Sequence, residues 1–276
     1  MGKAWLITSG KGGVGKSTLA ASLGVALCER GQRVCVVDAD IGLRDQDAIL
    51  GLADRIVYDL VDVTAHRCTL DQALVRSGAA EGLCLLPAAQ FARCRDLKDK
   101  AFAGLLEELK QRFDQVLIDS PAGIEKGLRN LLRAPLDEVL LVTTPDDVCI
   151  RDAERTAMLL MARELPRPRL IVNRLDAELV RAREMYPARV VAQTLDLELL
   201  GQIPEDRTVY RASLAHRTAV EAECPAADEL RRIAWRMLGE DVPQDEVGTE
   251  VLPWYRRWIR RKPEELIWRK EDRRGS

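Results

Sequence analysis

Histidine is almost missing from this chain. The two that occur, His66 and His216, have no neighbouring metal ligands and read as solvated or structural side chains. Paired cysteines are missing too: seven cysteines are scattered, odd in number and never spaced C-x-x-C. That pattern excludes a disulfide framework and a zinc site. Cys28, Cys35, Cys68, Cys84, Cys94, Cys149 and Cys224 read instead as small thiols of a reducing compartment, several inside apolar runs such as Val34-Cys35-Val36-Val37. No apolar run approaches membrane-spanning length and no signal-like segment precedes the first motif, so the chain is expected in the cytoplasm. Neither sign of charge is in excess: 42 Lys and Arg against 44 Asp and Glu leave a net −2, and nothing global calls for nucleic acid. Length and apolar content are ample. At 276 residues and 47% hydrophobic, the chain can bury the core of one large α/β domain.

Directly behind the apolar run Ala4-Trp5-Leu6-Ile7 stands Gly10-Lys11-Gly12-Gly13-Val14-Gly15-Lys16-Ser17-Thr18. It fits the phosphate-loop pattern G-x-x-x-x-G-K-[ST] through Gly10, Gly15, Lys16 and Ser17. A strand must deliver the chain into a loop whose amides all face a polyphosphate, and glycines permit the turns and the close approach. Lys16 then sets a compact cation on the β- and γ-phosphates, and the Ser17 hydroxyl ligates magnesium. A helix begins there, with Leu19, Leu23, Ala26 and Leu27 on one side, and its positive end faces the same anion.

Val34–Val37 is continuously apolar, like a strand buried on both faces of a parallel sheet. Asp38 and Asp40 follow at its carboxyl end, where such sheets bind ligands. Asp40 is placed to orient or activate the attacking water, and Asp38 to support the magnesium shell; a helix cap and a solvated loop acid are the plainer alternative. A second apolar run ends in Asp119-Ser120-Pro121-Ala122-Gly123. This is a Walker B arrangement, with Asp119 holding magnesium through water and the Pro121–Gly123 loop able to sense the γ-phosphate. Further strands are expected at Leu83–Leu86, Glu138–Thr144, Arg169–Arg174 and Leu199–Ile203, which makes the fold a doubly wound, mostly parallel sheet flanked by helices. Asn173 can pair bidentately with adenine. No guanine-specific N-K-x-D motif occurs, so ATP with Mg2+ is the expected cofactor.

The C-terminus changes character. Residues 241–250 are acidic and punctuated by Pro and Gly, a linker between a 1–240 domain and a 251–276 tail. At about 100° per residue, Val251, Leu252, Trp254, Tyr255, Trp258 and Ile259 fall within an arc of roughly 160°, opposite Arg256, Arg257 and Arg260. Aromatics opposite arginines describe a helix lying in an anionic membrane interface. A terminal helix packed on the core is the other reading, and Glu264–Ser276 either extends the anchor or folds back over it.

The motifs carry a resemblance. Lys11-Gly12-Gly13-Val14-Gly15-Lys16-Ser17 resembles the deviant Walker A loop of the ParA/MinD ATPases, and Asp40-Ile41-Gly42-Leu43-Arg44 resembles switch I of the MinD family. Asp45 departs from it, standing where the familiar form has asparagine. Asp119–Gly123, Val57-Tyr58-Asp59 and Leu86-Pro87-Ala88 agree with the same family, and the likeness runs from Gly2 to about Gly239. The resemblance implies a P-loop ATPase that is a homodimer with ATP and a monomer with ADP, peripheral on the cytoplasmic face of the inner membrane. It implies placement of the bacterial division septum together with a division inhibitor and a topological-specificity protein. It implies that Lys11 reaches the partner's nucleotide, that Asn173 and Arg174 lie at the base, and that Pro204, Glu205 and Asp206 complete the adenosine pocket. Arg151-Asp152 is similarly placed for partner docking, with a helix-surface salt bridge as the equal alternative. A ParA-type partition or flagellar-placement ATPase, binding DNA or a polar partner, is the runner-up. Iron–sulfur carriers of this fold need paired cluster cysteines, and Cys94 has no mate.

Overall fold

In a computed structural model of the chain, the described residues are 1–93, 96–123, 126–163 and 165–248. The amphipathic tail from Val251 to Ile259, its Arg256, Arg257 and Arg260, the remainder to Ser276, and Cys94 lie outside them.

The expected apolar runs pair into one eight-stranded sheet. Its strands are β1 (Lys3–Ser9), β2 (Val34–Asp38), β3 (Val75–Arg76), β4 (Leu83–Leu86), β5 (Gln115–Asp119), β6 (Glu138–Thr143), β7 (Arg169–Leu175) and β8 (Glu198–Pro204). Their order is β3-β4-β2-β5-β1-β6-β7-β8. All neighbours run parallel except β3, a two-residue antiparallel edge on β4. The first helices are α1 (Lys16–Cys28), α2 (Gln46–Ile49), α3 (Leu60–Thr64), α4 (Leu70–Ala73), α5 (Asp99–Arg112) and α6 (Lys126–Leu131). After them come α7 (Asp147–Met161), α8 (Ala177–Ala182), α9 (Ala188–Leu195), α10 (Arg207–Leu214) and α11 (Pro225–Met237).

The strands are apolar throughout because both faces are covered. Trp5, Ile7, Val34, Val36 and Leu117 pack with α1 and α11 on one face. Their neighbours Ala4, Leu6, Cys35, Val37 and Ile118 pack with α5 on the other, and α7 and α9 continue that layer over Leu141, Leu170 and Val172. The fully buried Trp5 places its indole N–H on Gln115 Oε1 at 2.8 Å, and the Arg169 guanidinium lies over its ring. The first helix differs from a one-sided reading: besides Leu19, Leu23, Ala26 and Leu27, the intervening Ala20, Ala21 and Val25 are buried, because α11 covers its outer side. Gly24 permits the close approach on the inner side, since a Cβ there would stand 3.0 Å from Val36 Cγ2.

Short helices α3 and α4 each open with a capping box, Asp59 with Asp62 and Thr69 with Gln72. Residues 240–248, past α11, lie along the β8 edge: Arg236 donates to the Val242 and Pro243 carbonyls at 2.9 and 2.8 Å, and Gln244 Nε2 to the Leu199 carbonyl at 2.6 Å.

Candidate functional site

Parallel registry brings the ends of β2 and β5 level beside β1. Asp119, at the end of β5, is opposite Ile7 of β1 and Asp38 of β2. Between β1 and α1 the chain makes the glycine loop, at the point where successive strands depart to opposite sides of β1. Gly13 and Gly15 have φ of +82° and +94°, a region that favours glycine. Space supplies a second reason: a Cβ on Gly15 would stand 2.5 Å from Asn173 Nδ2, and one on Gly10 would stand 2.3 Å from the Asp152 carbonyl of α7. The far wall is Pro121–Gly123, tied down by the Gly123 N–H donating to the Ser9 carbonyl at 2.9 Å.

Lys16 is buried, and its Nζ lies 2.6 Å from Asp119 Oδ1. Ser17 and Thr18 line the first turn of α1 half-buried. Asp38 accepts from the backbone N–H of Asp40 at 3.0 Å and of Gln46 at 3.2 Å. Burial, with the Asp119 carboxylate alongside, pushes the Asp38 carboxyl up to about 8. Asp40 is half-buried where the loop turns, its carbonyl accepting from Leu43 and Arg44. Lys11 is exposed at the loop entrance, and its charge is felt at the start of α7. Burial there works to raise the Asp146 carboxyl, but hydrogen bonds from Thr144 and Cys149, with Lys11 nearby, outweigh it and hold the group below its usual range.

The residues assigned to the base lie farther along the same edge. Asn173 reaches from β7 to the loop, donating from Nδ2 to the Val14 carbonyl at 2.8 Å, while Oδ1 accepts from the Arg174 N–H at 2.9 Å. Arg174 is exposed with φ +58°, and its guanidinium stands 3.9 Å from Glu205. Pro204 ends β8, and Asp206 caps α10 through the Thr208 N–H at 2.8 Å. Asp152 pairs with Arg155 at 3.6 Å, one turn along α7. Sequence reasoning misses Gln46. Its Nε2 donates to Asp119 Oδ2 at 2.7 Å and to the Ser17 carbonyl at 3.0 Å. Nothing in the polar string Asp45-Gln46-Asp47 marks the amide as buried.

A loop of glycines opening a helix at the switch point of a parallel sheet is suited to hold a polyphosphate against inward-facing amides, with acidic groups beside it to manage a cation. That places the chain among the P-loop NTPases. A ParA family model, described as NUBPL iron-transfer P-loop NTPase, matches residues 1–238. The septum site-determining protein MinD of Bacillus subtilis (strain 168) is 44% identical over 246 residues, 88% of this chain and 91% of that protein. The MinC:MinD cell division protein complex of Aquifex aeolicus contains a chain of 37% identity, aligned over 90% of this chain and 100% of its own length with a TM-score of 0.83. Pyrococcus horikoshii OT3 MinD, solved with Mg-ADP, is 28% identical over 88% of this chain and all of that one, with a TM-score of 0.76. The chain belongs to the MinD family of ParA-type P-loop ATPases.

Proposed function

We propose that this ATPase dimerises face to face on ATP, binds anionic lipid on the cytoplasmic face of the inner membrane through residues 251–262, and there recruits a division inhibitor that sets the septum position. With ADP it returns to a cytoplasmic monomer, and a topological-specificity protein is its second partner. One observation carries the reading: the likeness to the MinD chain of the MinC:MinD complex extends over 90% of this chain. The deviant loop with Lys11 supports the dimer, and the arginine–tryptophan tail supports the lipid. A short interfacial helix binds weakly alone, so two copies held by one dimer couple nucleotide state to attachment through effective concentration.

The residues fit a magnesium nucleotide. Among the described residues, nothing fills the space where Gly13 would carry a Cβ, and a buried amide oxygen of Gln46 has no partner. Gly10, Gly12, Gly13, Val14, Gly15 and Thr18 would cradle the phosphates. Lys16 would leave Asp119 for them, and Lys11 would reach the partner's nucleotide. Ser17 would hold the metal directly, with Asp38 and Asp119 acting through water; when bound, magnesium neutralises charge on the β- and γ-phosphates. Asp40 orients the attacking water. Asn173 spends one donor and one acceptor on the backbone, and an amide has one more of each for adenine. Arg174, Pro204, Glu205 and Asp206 complete that pocket.

Sedimentation with anionic liposomes tests the proposal, comparing ATP with ADP for the full chain and for a truncation ending at Glu250. Pelleting in ATP that disappears on truncation is the expected result. Retardation of duplex DNA in ATP, without pelleting, would replace this reading with a partition-type one.

A further inference from the structure

Gln46 opens α2 and is fully buried. It touches both strand-end aspartates: its backbone N–H donates to Asp38 Oδ2 at 3.2 Å and its side-chain Nε2 to Asp119 Oδ2 at 2.7 Å. The same Nε2 donates to the Ser17 carbonyl at 3.0 Å, so one residue joins the acidic pair to the phosphate loop. The amide can face only one way. A carboxylate and a carbonyl both accept, so the nitrogen is turned to them and the oxygen is not. That oxygen, Oε1, is buried and has no hydrogen-bond partner among the described residues.

An orphaned buried carbonyl is costly and calls for a ligand or an ordered water. Amide geometry sets Oε1 roughly 2.2 Å from Nε2, hence within about 5 Å of Asp119 Oδ2, a gap that a single water bridges. Magnesium dehydrates reluctantly and keeps several waters, whose protons are strong donors in need of acceptors.

We infer that Gln46 is a positioning residue of the magnesium shell: Oε1 accepts a hydrogen bond from a metal-bound water, while Nε2 keeps Asp119 turned to that shell once Lys16 moves to the phosphates. The inference rests on the magnesium-nucleotide reading of the site. It makes Gln46 a determinant of how strongly magnesium and nucleotide support each other's binding.

The test is equilibrium binding of ADP to the full-length protein, in excess Mg2+ and in EDTA, for the wild type and Gln46→Met. Methionine keeps length and burial but supplies neither the donor nor the oxygen. The readout is the ratio of the two affinities, which a merely structural role would not move, because lost packing weakens both alike. The ratio is expected to fall about tenfold, the scale of one hydrogen bond to a charged group, with the metal-free affinity unchanged. An unchanged ratio overturns the inference. Gln46→Asn, which keeps the amide but shortens its reach, gives the same readout should the methionine variant not fold. A wild-type ratio of one would overturn the magnesium-nucleotide reading itself, and the inference with it.

Discussion

Asp38 and Asp119 end adjacent strands, and the fold holds the two carboxyl groups side by side at 1% and 0% exposure. Lys16 and Gln46 attend to Asp119, whereas the donors to Asp38 among the described residues are the backbone N–H groups of Asp40 and Gln46. Its rise from 3.8 to about 8 means that the nucleotide- and metal-free fold holds a proton there that the unfolded chain has already released. Folded protein therefore binds more protons than unfolded protein between those values, and stability falls as pH rises through that window. Asp38→Asn removes the dependence. In the absence of nucleotide and magnesium, unfolding free energies of variant and wild type from urea titration should lie close near pH 4 and separate in the variant's favour towards pH 8, by at most roughly 5 kcal/mol. A separation that does not change with pH would show that Asp38 ionises normally. Asp38 and Asp119 are legible in the sequence because each ends a continuous apolar run, and Lys16 because a motif fixes its place in the loop. Gln46 is not, since its carboxylate partner lies 73 residues along the chain and only strand registry brings the two together.

Among the elements, β8 and α11 approach each other closely. Gly201 is the reason: a Cβ there would stand 2.3 Å from Ile233 Cγ1 and 2.4 Å from its Cδ1. Gly201→Ala is expected to push α11 off the sheet and cost about 1–3 kcal/mol by overpacking. Ile233→Ala alone opens a cavity, at about 2–5 kcal/mol. Combined, the two changes should cost less than their sum, because the new methyl enters the space the isoleucine leaves; denaturant melts around the double-mutant cycle measure that coupling. Strict additivity would mean that the helix shifts instead of the side chain yielding. At this scale the sequence is informative where a run is long and apolar, so β1, β2, β4, β5, β6, β7 and β8 all follow from pattern. The antiparallel β3 does not. Val75-Arg76 is too short to show any alternation, and it pairs because the turn before β4 folds it back onto that strand's edge.

Across the whole molecule, the segment after α11 decides where the C-terminal tail begins. Composition gives residues 241–250 the look of a free linker, yet the chain to Gly248 is fastened. Arg236, 9% exposed, binds Glu229 at 2.8 Å, the Leu200 carbonyl at 3.0 Å and two carbonyls of the segment itself. Arg232 meets Asp245 at 2.7 Å, Arg189 pairs with Glu246, and the Val247 N–H donates to Gln202 at 3.1 Å. These partners lie on β8, α9 and α11, so no property of the segment alone reveals the fastening. Replacing Arg236 with Met keeps much of the volume but strands Glu229, whose carboxyl burial already raises against the pull of Arg236. Loss of that pair is expected to cost about 3 kcal/mol, with Arg232 at 3.5 Å from Glu229 as a partial substitute. The loss should grow as pH rises, because an unpaired Glu229 is tolerated only when protonated. Hydrogen exchange of the amides at 241–248 should accelerate in Arg236→Met while β1 and β5 keep their protection. Equal protection in both proteins would show that the other contacts hold the segment unaided. Under the proposed lipid role, a freed eight-residue segment adds a span of roughly 16 Å between domain and tail. It should lower liposome binding of the ATP form several-fold through effective concentration, without abolishing it.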